Sequence, residues 1–347
     1  MHNVSADLTA LRSFAALRGQ LRVSLTPRCN IFCDFCHNEA DVPPILARSD
    51  RTLQPRRREL TAESYLSLVS TLIDAGLERV YWTGGEPLTS PLARPVLTGL
   101  PTPTPTVSHT LITNGTRVRA NASWLRQAPL DKVKVSLHYF SDETLFEIAK
   151  TRLGIASVLD GIDAARDMFE RVELNCLLLE RNAHEVPRIL DYALERRLPV
   201  QFIELVDTEH NQNMADTAPP STSVIARLRA LADDERVEIA GVGQGRRVFR
   251  IDGLEFDVIE RGLGRYHVGQ CGTCPVRRKC VEGVWALRLD HAGGVQPCLL
   301  RDDLRIDIKD IVGDPEQLVS VVANHMSAFT EGTALPQQRP AHTEENA

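Results

Sequence analysis

The cysteines are the residues of this chain whose type and spacing indicate a chemical function. Three of the eight, Cys29, Cys33 and Cys36, have the spacing CxxxCxxC and follow the first predicted strand. In a chain of 347 residues, clustered thiols are typical of metal or cofactor ligands rather than of disulfides. Three such thiolates can hold three irons of a [4Fe–4S] cube and leave the fourth iron open. A structural zinc site would need a fourth ligand from elsewhere in the chain.

A second group of cysteines lies near the C-terminus and consists of Cys271, Cys274, Cys280 and Cys298. The segment VWALRLD-HAGG-VQPC predicts a β-hairpin that brings Cys298 back beside the CxxC pair. Four thiolates could bind a zinc ion or a second [4Fe–4S] cluster, and their spacing leaves both possibilities open. The eighth cysteine, Cys176, lies in the apolar run VELNCLLL and is predicted to be a buried core residue.

Polar residues also stand at the ends of several predicted strands. The second strand ends in TGGEP, where the glycines would let the backbone approach a ligand and Glu86 could accept hydrogen bonds from an ammonium group. The other residues at strand ends are Thr113, Asn114, Ser136, His138 and Glu204. Ordinary turn chemistry also accounts for Thr113 and Ser136, and carboxylates such as Glu204 are common on barrel rims. His138 would point to the barrel mouth and could act as an acid or base.

Six predicted strands alternate with helical segments and must position these side chains. They cover residues 21–26, 79–84, 109–114, 132–137, 172–179 and 200–206. Strands separated by helices predict parallel βαβ units, which right-handed crossovers wind into a barrel or an open sheet. The predicted fold class is therefore α/β, with the polar residues gathered at the carboxyl ends of the strands.

Composition narrows the function classes. The chain has 40 Lys and Arg against 46 Asp and Glu, and its formal net charge of -6 argues against a protein built to coat nucleic acid. It has no run of 18 apolar residues, so a transmembrane helix is not expected. The first twenty residues lack the apolar region of a secretory signal. We therefore expect a cytoplasmic protein with no nucleic-acid or membrane partner.

These motifs together resemble those of the radical S-adenosylmethionine (SAM) enzymes. The resemblance rests on CxxxCxxC with Phe35 before its last cysteine, on the GGEP of residues 84–87 and on the TNG of residues 113–115. It implies a partial (β/α)6 TIM-type barrel over residues 21–207, preceded by an N-terminal extension over residues 1–20. It also implies that the first three cysteines bind a [4Fe–4S] cluster whose open iron binds the amine and carboxylate of SAM.

The same resemblance implies roles for the other residues. Phe35 would lie against the SAM adenine, and Glu204 would lie near it. The segment Gly84, Gly85, Glu86 and Pro87 would hold the methionine amine. The residues after the next two strands, Thr113, Asn114 and Ser136, would contact the ribose and the carboxylate. An electron from a donor such as flavodoxin or ferredoxin would cleave SAM to a 5′-deoxyadenosyl radical, which abstracts hydrogen from the substrate.

Within this family the chain is most similar to the branch that contains the molybdenum-cofactor GTP cyclase. The similarity covers roughly residues 20–312 and implies that the second cysteine group holds an auxiliary [4Fe–4S] cluster. That group would lie in a small C-terminal twitch-like domain, residues 208–330, before a disordered tail over residues 331–347. Two features depart from the cyclase pattern: Cys280 is an apparent fourth auxiliary cysteine, and the last residues read EENA instead of ending in Gly-Gly.

The sequence thus predicts a radical SAM enzyme that acts on a small molecule such as a nucleotide, nucleoside or sugar. About twenty residues precede the first strand, too few for a peptide-recognition domain. The alternatives are the GTP cyclase itself, a peptide-modifying enzyme, and a non-catalytic protein with zinc at both cysteine groups. The GGEP segment and the polar strand ends favour an enzyme, because a zinc scaffold needs none of them.

Overall fold

The structure is a computed structural model that describes residues 4–36, 59–205, 221–238, 245–263, 266–278, 280 and 282–332. The basic, proline-containing segment before residue 59, the polar linker after residue 205 and the predicted tail beyond residue 332 lie outside the described residues. Among the described helices, none combines the length and the apolar character needed to cross a bilayer.

Strands from the whole length of the described chain join one sheet. In chain order they are β1 (Gln20–Ser24), β2 (Arg79–Thr83), β3 (Ser108–Thr113), β4 (Lys132–Ser136), β5 (Val172–Leu178), β6 (Val200–Glu204), β7 (Asp234–Glu238), β8 (Arg246–Ile251), β9 (Leu254–Ile259), β10 (Ala286–Leu289), β11 (Gly294–Gln296) and β12 (Ile306–Asp307). Their order across the sheet is β12-β11-β10-β1-β2-β3-β4-β5-β6-β9-β8-β7. The first six strands therefore lie side by side in sequence order, as in a partial barrel.

The six predicted barrel strands are all present, and the predicted α/β class is confirmed. Neighbours among β1 to β6 pair in parallel throughout. The strand ends differ from the predicted bounds by one or two residues; β6, for example, ends at Glu204 rather than at residue 206. Parallel pairing brings the carboxyl ends of all six strands to one edge, where the predicted site residues lie.

Helices connect the strands and cover the outside of the sheet. They are α1 (Val4–Ala16), α2 (Ala62–Asp74), α3 (Ala93–Thr98), α4 (Val118–Leu125), α5 (Asp142–Ala149), α6 (Ile155–Arg166), α7 (Val186–Arg196), α8 (Thr222–Leu231) and α9 (Pro315–Glu331). Thr61 is a helix start signal in the sequence, and its side chain caps α2 by accepting the backbone N–H of Ser64 (3.2 Å). The sequence predicts one helical region over about residues 142–169. The structure divides it into α5 and α6, because Lys150 takes a left-handed conformation (φ 46°) that ends α5.

The C-terminal strands extend the barrel sheet at both of its edges. On one side β10 pairs in parallel with β1, and β11 and β12 follow as antiparallel neighbours. On the other side β9 pairs in parallel with β6, and β8 and β7 follow in the same antiparallel way. The β10–β11 pair is the hairpin that the sequence predicts, and it stands at the edge next to β1.

The core lies between the sheet and its helices. Its largest fully buried side chains include Trp82, Tyr65, Tyr139, Phe202 and Phe256. Strands with helices against them read as apolar runs, as in VELNCLL of β5, because both of their faces lose contact with water. Cys176 is fully buried in this strand, where the sequence predicts a structural thiol.

Candidate active site

The first cysteine group lies on a loop that begins at the carboxyl end of β1 and is anchored on α5. The backbone N–H of Phe32 donates to the carbonyl of Ala149 (2.7 Å), and that of Asp34 donates to Ile148 (3.2 Å). The Asp34 carboxylate also accepts two hydrogen bonds from the Arg181 guanidinium (2.6 and 2.7 Å). These contacts hold the loop from both sides of Cys33.

The thiols of this loop differ in exposure and are close enough to interact electrostatically. Cys29 and Cys33 are half-buried, whereas Cys36 is exposed. Burial raises the pKa of Cys29 to about 12, and neighbouring Glu86 and Cys36 add to that shift. Burial also raises the pKa of Cys33, again with contributions from the two other thiols. The cationic irons of a cluster would reverse this balance, since a coordinated thiol is deprotonated outright.

The glycine loop after β2 packs directly against the backbone that leads into Cys29. The N–H of Gly85 donates to the carbonyl of Thr26, and that of Glu86 donates to the carbonyl of Arg28 (both 2.8 Å). Gly84 has φ +132°, and a Cβ on Gly85 would lie 2.1 Å from the Arg28 carbonyl oxygen. Only glycines permit this approach, so the two loops form one continuous wall.

Glu86 links this glycine loop to the end of β3. Its carboxylate accepts hydrogen bonds from the Thr113 hydroxyl (2.8 Å), the Asn114 backbone N–H (2.7 Å) and the Leu88 backbone N–H (3.0 Å). Burial raises the pKa of Glu86 to about 7, although these three donors oppose the shift. The next residue, Pro87, is buried at the start of a short 3₁₀ turn. One further lone-pair position of the carboxylate is left for a ligand such as an ammonium group.

A chain of amide hydrogen bonds joins Asn114 to the cysteine loop. The Asn114 side chain donates to the Asn30 carbonyl oxygen (2.9 Å) and also lies 3.8 Å from the Cys29 sulfur. Asn30 in turn donates to the Thr116 hydroxyl (2.8 Å). Asn30 and Thr116 were not singled out from the sequence, although both are immediate neighbours of motif residues.

Phe35 and His138 pack on each other beside the cysteines. Their ring centroids are 5.1 Å apart, edge to face. His138 Nδ1 accepts the backbone N–H of Leu177 (3.0 Å), and burial lowers its pKa to about 4. The imidazole is therefore neutral near pH 7, with its remaining proton on Nε2. Nε2 can therefore donate a hydrogen bond. Nδ1, the nitrogen that could take up a proton, already accepts the hydrogen bond from Leu177.

Two other predicted residues lie at strand ends with different surroundings. Ser136 ends β4, is half-buried and is in register with Asn175 of β5. Glu204 ends β6, but its carboxylate accepts the backbone N–H groups of Ser221 (2.9 Å) and Arg261 (2.8 Å). These contacts tie β6 to the start of α8 and to the segment after β9. The predicted contact of Glu204 with the SAM adenine stays a prediction.

The second cysteine group lines a single pocket. The four thiols, Cys271, Cys274, Cys280 and Cys298, face an open cavity whose empty volume, including its mouth, is about 410 Å³. The Arg301 guanidinium donates to the Cys274 sulfur (3.5 Å). Burial raises the pKa of Cys298 to about 12, while neighbouring Arg288 opposes that shift. The predicted hairpin thus does bring Cys298 beside the CxxC pair.

Two arginines missed in the sequence lie near this pocket, on the seam between β1 and β10. Arg22 and Arg288 are in register on these parallel strands and therefore project from the same face of the sheet. Their guanidinium groups lie 5.1 and 5.0 Å from the ring of Trp285. Arg288 is buried and pairs with buried Glu282 (2.7 Å), and its Nε has no hydrogen-bond partner among the described residues. The sequence signal that could have identified Arg22 is its place as a charged residue between Leu21 and Val23 in a predicted strand.

The donor set of the first site fits an iron–sulfur cube and a bound amino acid. Among the described residues, no three His, Cys, Asp or Glu side chains converge closely enough to hold a single metal ion. The cysteine ligands of a cube bind separate irons at its corners, so they need not converge on one point. The glycine wall and Glu86 beside these thiols could hold an amine, and Phe35 could pack against a flat ring.

Comparison with known proteins places these motifs in context. Residues 23–193 match the profile of the radical SAM superfamily. The "GTP 3',8-cyclase" of Pseudomonas fluorescens (strain Pf0-1) is 30% identical over 318 residues, which cover 88% of this chain and 87% of that one. A second such enzyme, from Pseudomonas aeruginosa, is 30% identical over 86% of this chain and 85% of its own. The crystal structure of Streptococcus suis SuiB shares the fold (TM-score 0.56, 11% identity), covering 91% of this chain and 72% of that chain.

Proposed function

This chain belongs to the radical SAM superfamily and resembles its GTP 3′,8-cyclase branch, and from that premise we propose that it joins positions 3′ and 8 of GTP. Its cofactors are a [4Fe–4S] cluster and SAM, which supply hydrogen-atom abstraction from an unactivated carbon when bound. The protein itself must bind these groups, orient the nucleotide and exclude water. A protein donor such as flavodoxin or ferredoxin delivers the electron.

Cys29, Cys33 and Cys36 hold this cluster, and the wall beside them holds SAM. The Glu86 carboxylate takes the methionine ammonium at its remaining acceptor position, because its other contacts fix it between two loops. A bound cation also favours the ionised form of this buried carboxyl group. Phe35 lies under the adenine, and neutral His138 keeps the Phe35 ring in place by their edge-to-face contact.

The arginine pair on the β1–β10 seam is the observation that favours a nucleoside triphosphate as the substrate. Arg22 and Arg288 project from the same face of the sheet, and Arg288 also pairs with Glu282 (2.7 Å). Guanidinium groups recognise phosphate oxygens through paired hydrogen bonds. Ser24, at the end of β1, contacts the glycine loop, and Arg22 precedes it by two residues. The proposed anion site therefore lies about 7 Å from the glycine loop, toward the start of β1. A nucleotide bound there would extend its ribose toward SAM.

The second cysteine group holds an auxiliary [4Fe–4S] cluster, with Cys280 as a fourth ligand. All four thiols line the same pocket. We expect about eight irons per chain after anaerobic reconstitution, and fewer for Cys280→Ala. Cys176→Ala is the matched control, because this thiol is buried in the core and no other cysteine contributes to its raised pKa. Full iron content in Cys280→Ala would show that the other three thiols hold this cluster without Cys280 and that one cluster position can be open to substrate.

The experiment that tests the function measures nucleotide-dependent turnover. The reconstituted protein is incubated anaerobically with SAM, dithionite and one nucleoside triphosphate at a time, and 5′-deoxyadenosine and nucleotide products are followed by chromatography and mass spectrometry. We expect GTP to be converted to an isomer of unchanged mass at least about tenfold faster than ATP, CTP or UTP. Equal 5′-deoxyadenosine formation with all four nucleotides and no isomer of GTP would refute the cyclase assignment. Zinc without iron would support the binding-protein alternative instead.

A further inference from the structure

Arg301 joins the two segments that carry the second cysteine group. It follows Cys298 by three residues, and its Nη1 donates a hydrogen bond across the pocket to the Cys274 sulfur (3.5 Å). The donor carries a full positive charge, which strengthens such a bond relative to one from a neutral group. The structure therefore places a cation and an N–H donor directly against one of the proposed cluster ligands.

Asp303 holds the guanidinium in this orientation. Its carboxylate accepts hydrogen bonds from both Nε (2.6 Å) and Nη2 of Arg301. Because the guanidinium is a planar fork of donors, this bidentate pair fixes its plane and leaves Nη1 directed at Cys274. The Arg301 side chain is 21% exposed and that of Asp303 is 61% exposed, so the end of the pair that meets the sulfur is the end shielded from water.

The backbone around Arg301 is fixed as well. The Leu304 N–H donates to the Arg301 carbonyl (3.1 Å), and the carbonyl of buried Leu304 lies 2.8 Å from Nε2 of His325 on α9. These contacts seat the short turn after Arg301 on the C-terminal helix. The guanidinium is thus held in place by its own surroundings and need not reorganise when a cluster binds beside it.

We propose that Arg301 raises the reduction potential of the auxiliary cluster through its hydrogen bond to the Cys274 sulfur. The inference rests on the proposed function, in which Cys274 is a ligand of that cluster. Reduction adds negative charge to a cluster and its sulfurs, so a cationic donor at a ligand sulfur stabilises the reduced state more than the oxidised state. Hydrogen bonds to the sulfurs are among the determinants of cluster potential. The auxiliary cluster therefore accepts an electron more readily than it would with its cysteine ligands alone.

The test uses a full-length parent protein that can assemble only the auxiliary cluster. In this parent the three thiols of the first group are replaced by Ala, as Cys29→Ala, Cys33→Ala and Cys36→Ala. After anaerobic reconstitution, iron is counted, and we expect about four irons per chain. The protein is then titrated with dithionite without SAM or nucleotide, and the reduced cluster is followed by electron paramagnetic resonance.

Arg301→Met in this parent removes the charge and the donor but keeps a long side chain. We expect the equilibrium constant for reduction to fall about tenfold, which lowers the midpoint potential by about 59 mV. Arg277→Met is the matched control, because exposed Arg277 lines the same pocket but donates to the Cys271 carbonyl (3.3 Å) rather than to a sulfur. Its exposed charge is screened by solvent, so the control should keep the potential of the parent. Arg301→Lys keeps the charge without the forked geometry and should fall between the parent and Arg301→Met.

Several results would overturn the proposal. One is an equal potential in the parent and Arg301→Met. Another is an equal shift in Arg301→Met and Arg277→Met, because pocket charge rather than the bond to Cys274 would then set the potential. Loss of iron from both Arg301 variants would assign the arginine to cluster assembly instead. A parent without iron would overturn the auxiliary cluster itself, which separates failure of the proposed function from failure of this inference alone.

Discussion

At the scale of single residues, the paired arginines of the β1–β10 seam are the proposed binding site for the triphosphate. Replacing Arg22 by Gln removes one charge-assisted contact to phosphate, worth about 1.5–3 kcal/mol. We therefore expect the KM for GTP to rise about tenfold or more, while the affinity for SAM stays unchanged. Steady-state kinetics and equilibrium binding of SAM measure the two effects. Arg229→Gln is the control, because Arg229 lies exposed in an ion pair with Glu235. A similar KM in both variants would remove this residue from the substrate site.

Residue identity alone does not reveal which partner a side chain has. Glu86 follows one predicted strand and Glu204 lies near the end of another, and the family resemblance implies that both contact SAM. In the structure one carboxylate crosslinks two loops of the site, and the other binds Ser221 and Arg261. Both sets of donors come from distant parts of the chain, and no local pattern marks them.

At the scale of elements, the close approach of the glycine loop and the cysteine loop is the main requirement of the first site. A methyl group at Gly85 would lie 2.1 Å from the Arg28 carbonyl oxygen, so Gly85→Ala must push the loops apart and break the Glu86–Arg28 hydrogen bond. Such overpacking typically costs about 1–3 kcal/mol. We expect the variant to retain about four irons per chain instead of about eight and to lose SAM binding.

The matched control for that variant is Gly313→Ala, because a Cβ at Gly313 meets no atom within 4 Å. Iron content, SAM binding and thermal unfolding are measured in parallel for both proteins. The control should behave as the wild type does. Normal iron content and SAM affinity in Gly85→Ala would mean that the two loops are free to separate, and would contradict the continuous wall described above.

The contacts of Glu204 at the end of β6 lead to a second prediction at this scale, which concerns how the stability of the fold depends on pH. Burial would raise the pKa of Glu204, but the N–H groups of Ser221 and Arg261 hold it below its usual value. The ionised carboxylate therefore stabilises the fold above pH 4.5, and this stabilisation is lost as the pH falls through the lower pKa of the folded state. Glu204→Gln should cost about 1–3 kcal/mol at pH 7, and the difference from wild type should shrink toward pH 4.

Urea unfolding at several pH values tests this effect, with Glu195→Gln on the exposed side of α7 as the control. The control should follow the wild type at every pH. If the difference between Glu204→Gln and wild type were constant from pH 7 to pH 4, the carboxylate would not be the group that titrates.

Local sequence predicts the strands well because β-branched and apolar runs bounded by turns are local signals. The bounds of β2 to β5 are therefore within about one residue of the predicted ones. The break at Lys150 was missed, because no glycine or proline marks that left-handed residue. The pairing of β10 with β1 was also missed, since it joins residues such as Leu21 and Leu287 that have no local relation.

At the scale of the whole molecule, the strands that lead into the two cysteine groups belong to one sheet. Strands from residues 208–330 extend both edges of the barrel, and the N-terminal helix α1 packs against the C-terminal helix α9. The division into an N-terminal extension, a barrel and a C-terminal domain remains a prediction from the sequence. The strand register shows that β10 pairs directly with β1. Of these two neighbouring strands, β10 leads into the hairpin before Cys298 and β1 leads into the loop of Cys29.

This continuity predicts that barrel and C-terminal strands unfold together. Removing β10 to β12 would expose the edge of β1, so the C-terminal strands cannot unfold without destabilising the barrel. We expect one denaturation transition, with coincident curves from far-ultraviolet circular dichroism and from tryptophan fluorescence, which reports on Trp82 in β2, Trp124 in α4 and Trp285 beside β10. In Cys271→Ser, which weakens the proposed auxiliary site, the whole transition should shift to lower denaturant and stay single. An early, separate transition seen only by fluorescence would instead identify residues 208–330 as an independent domain.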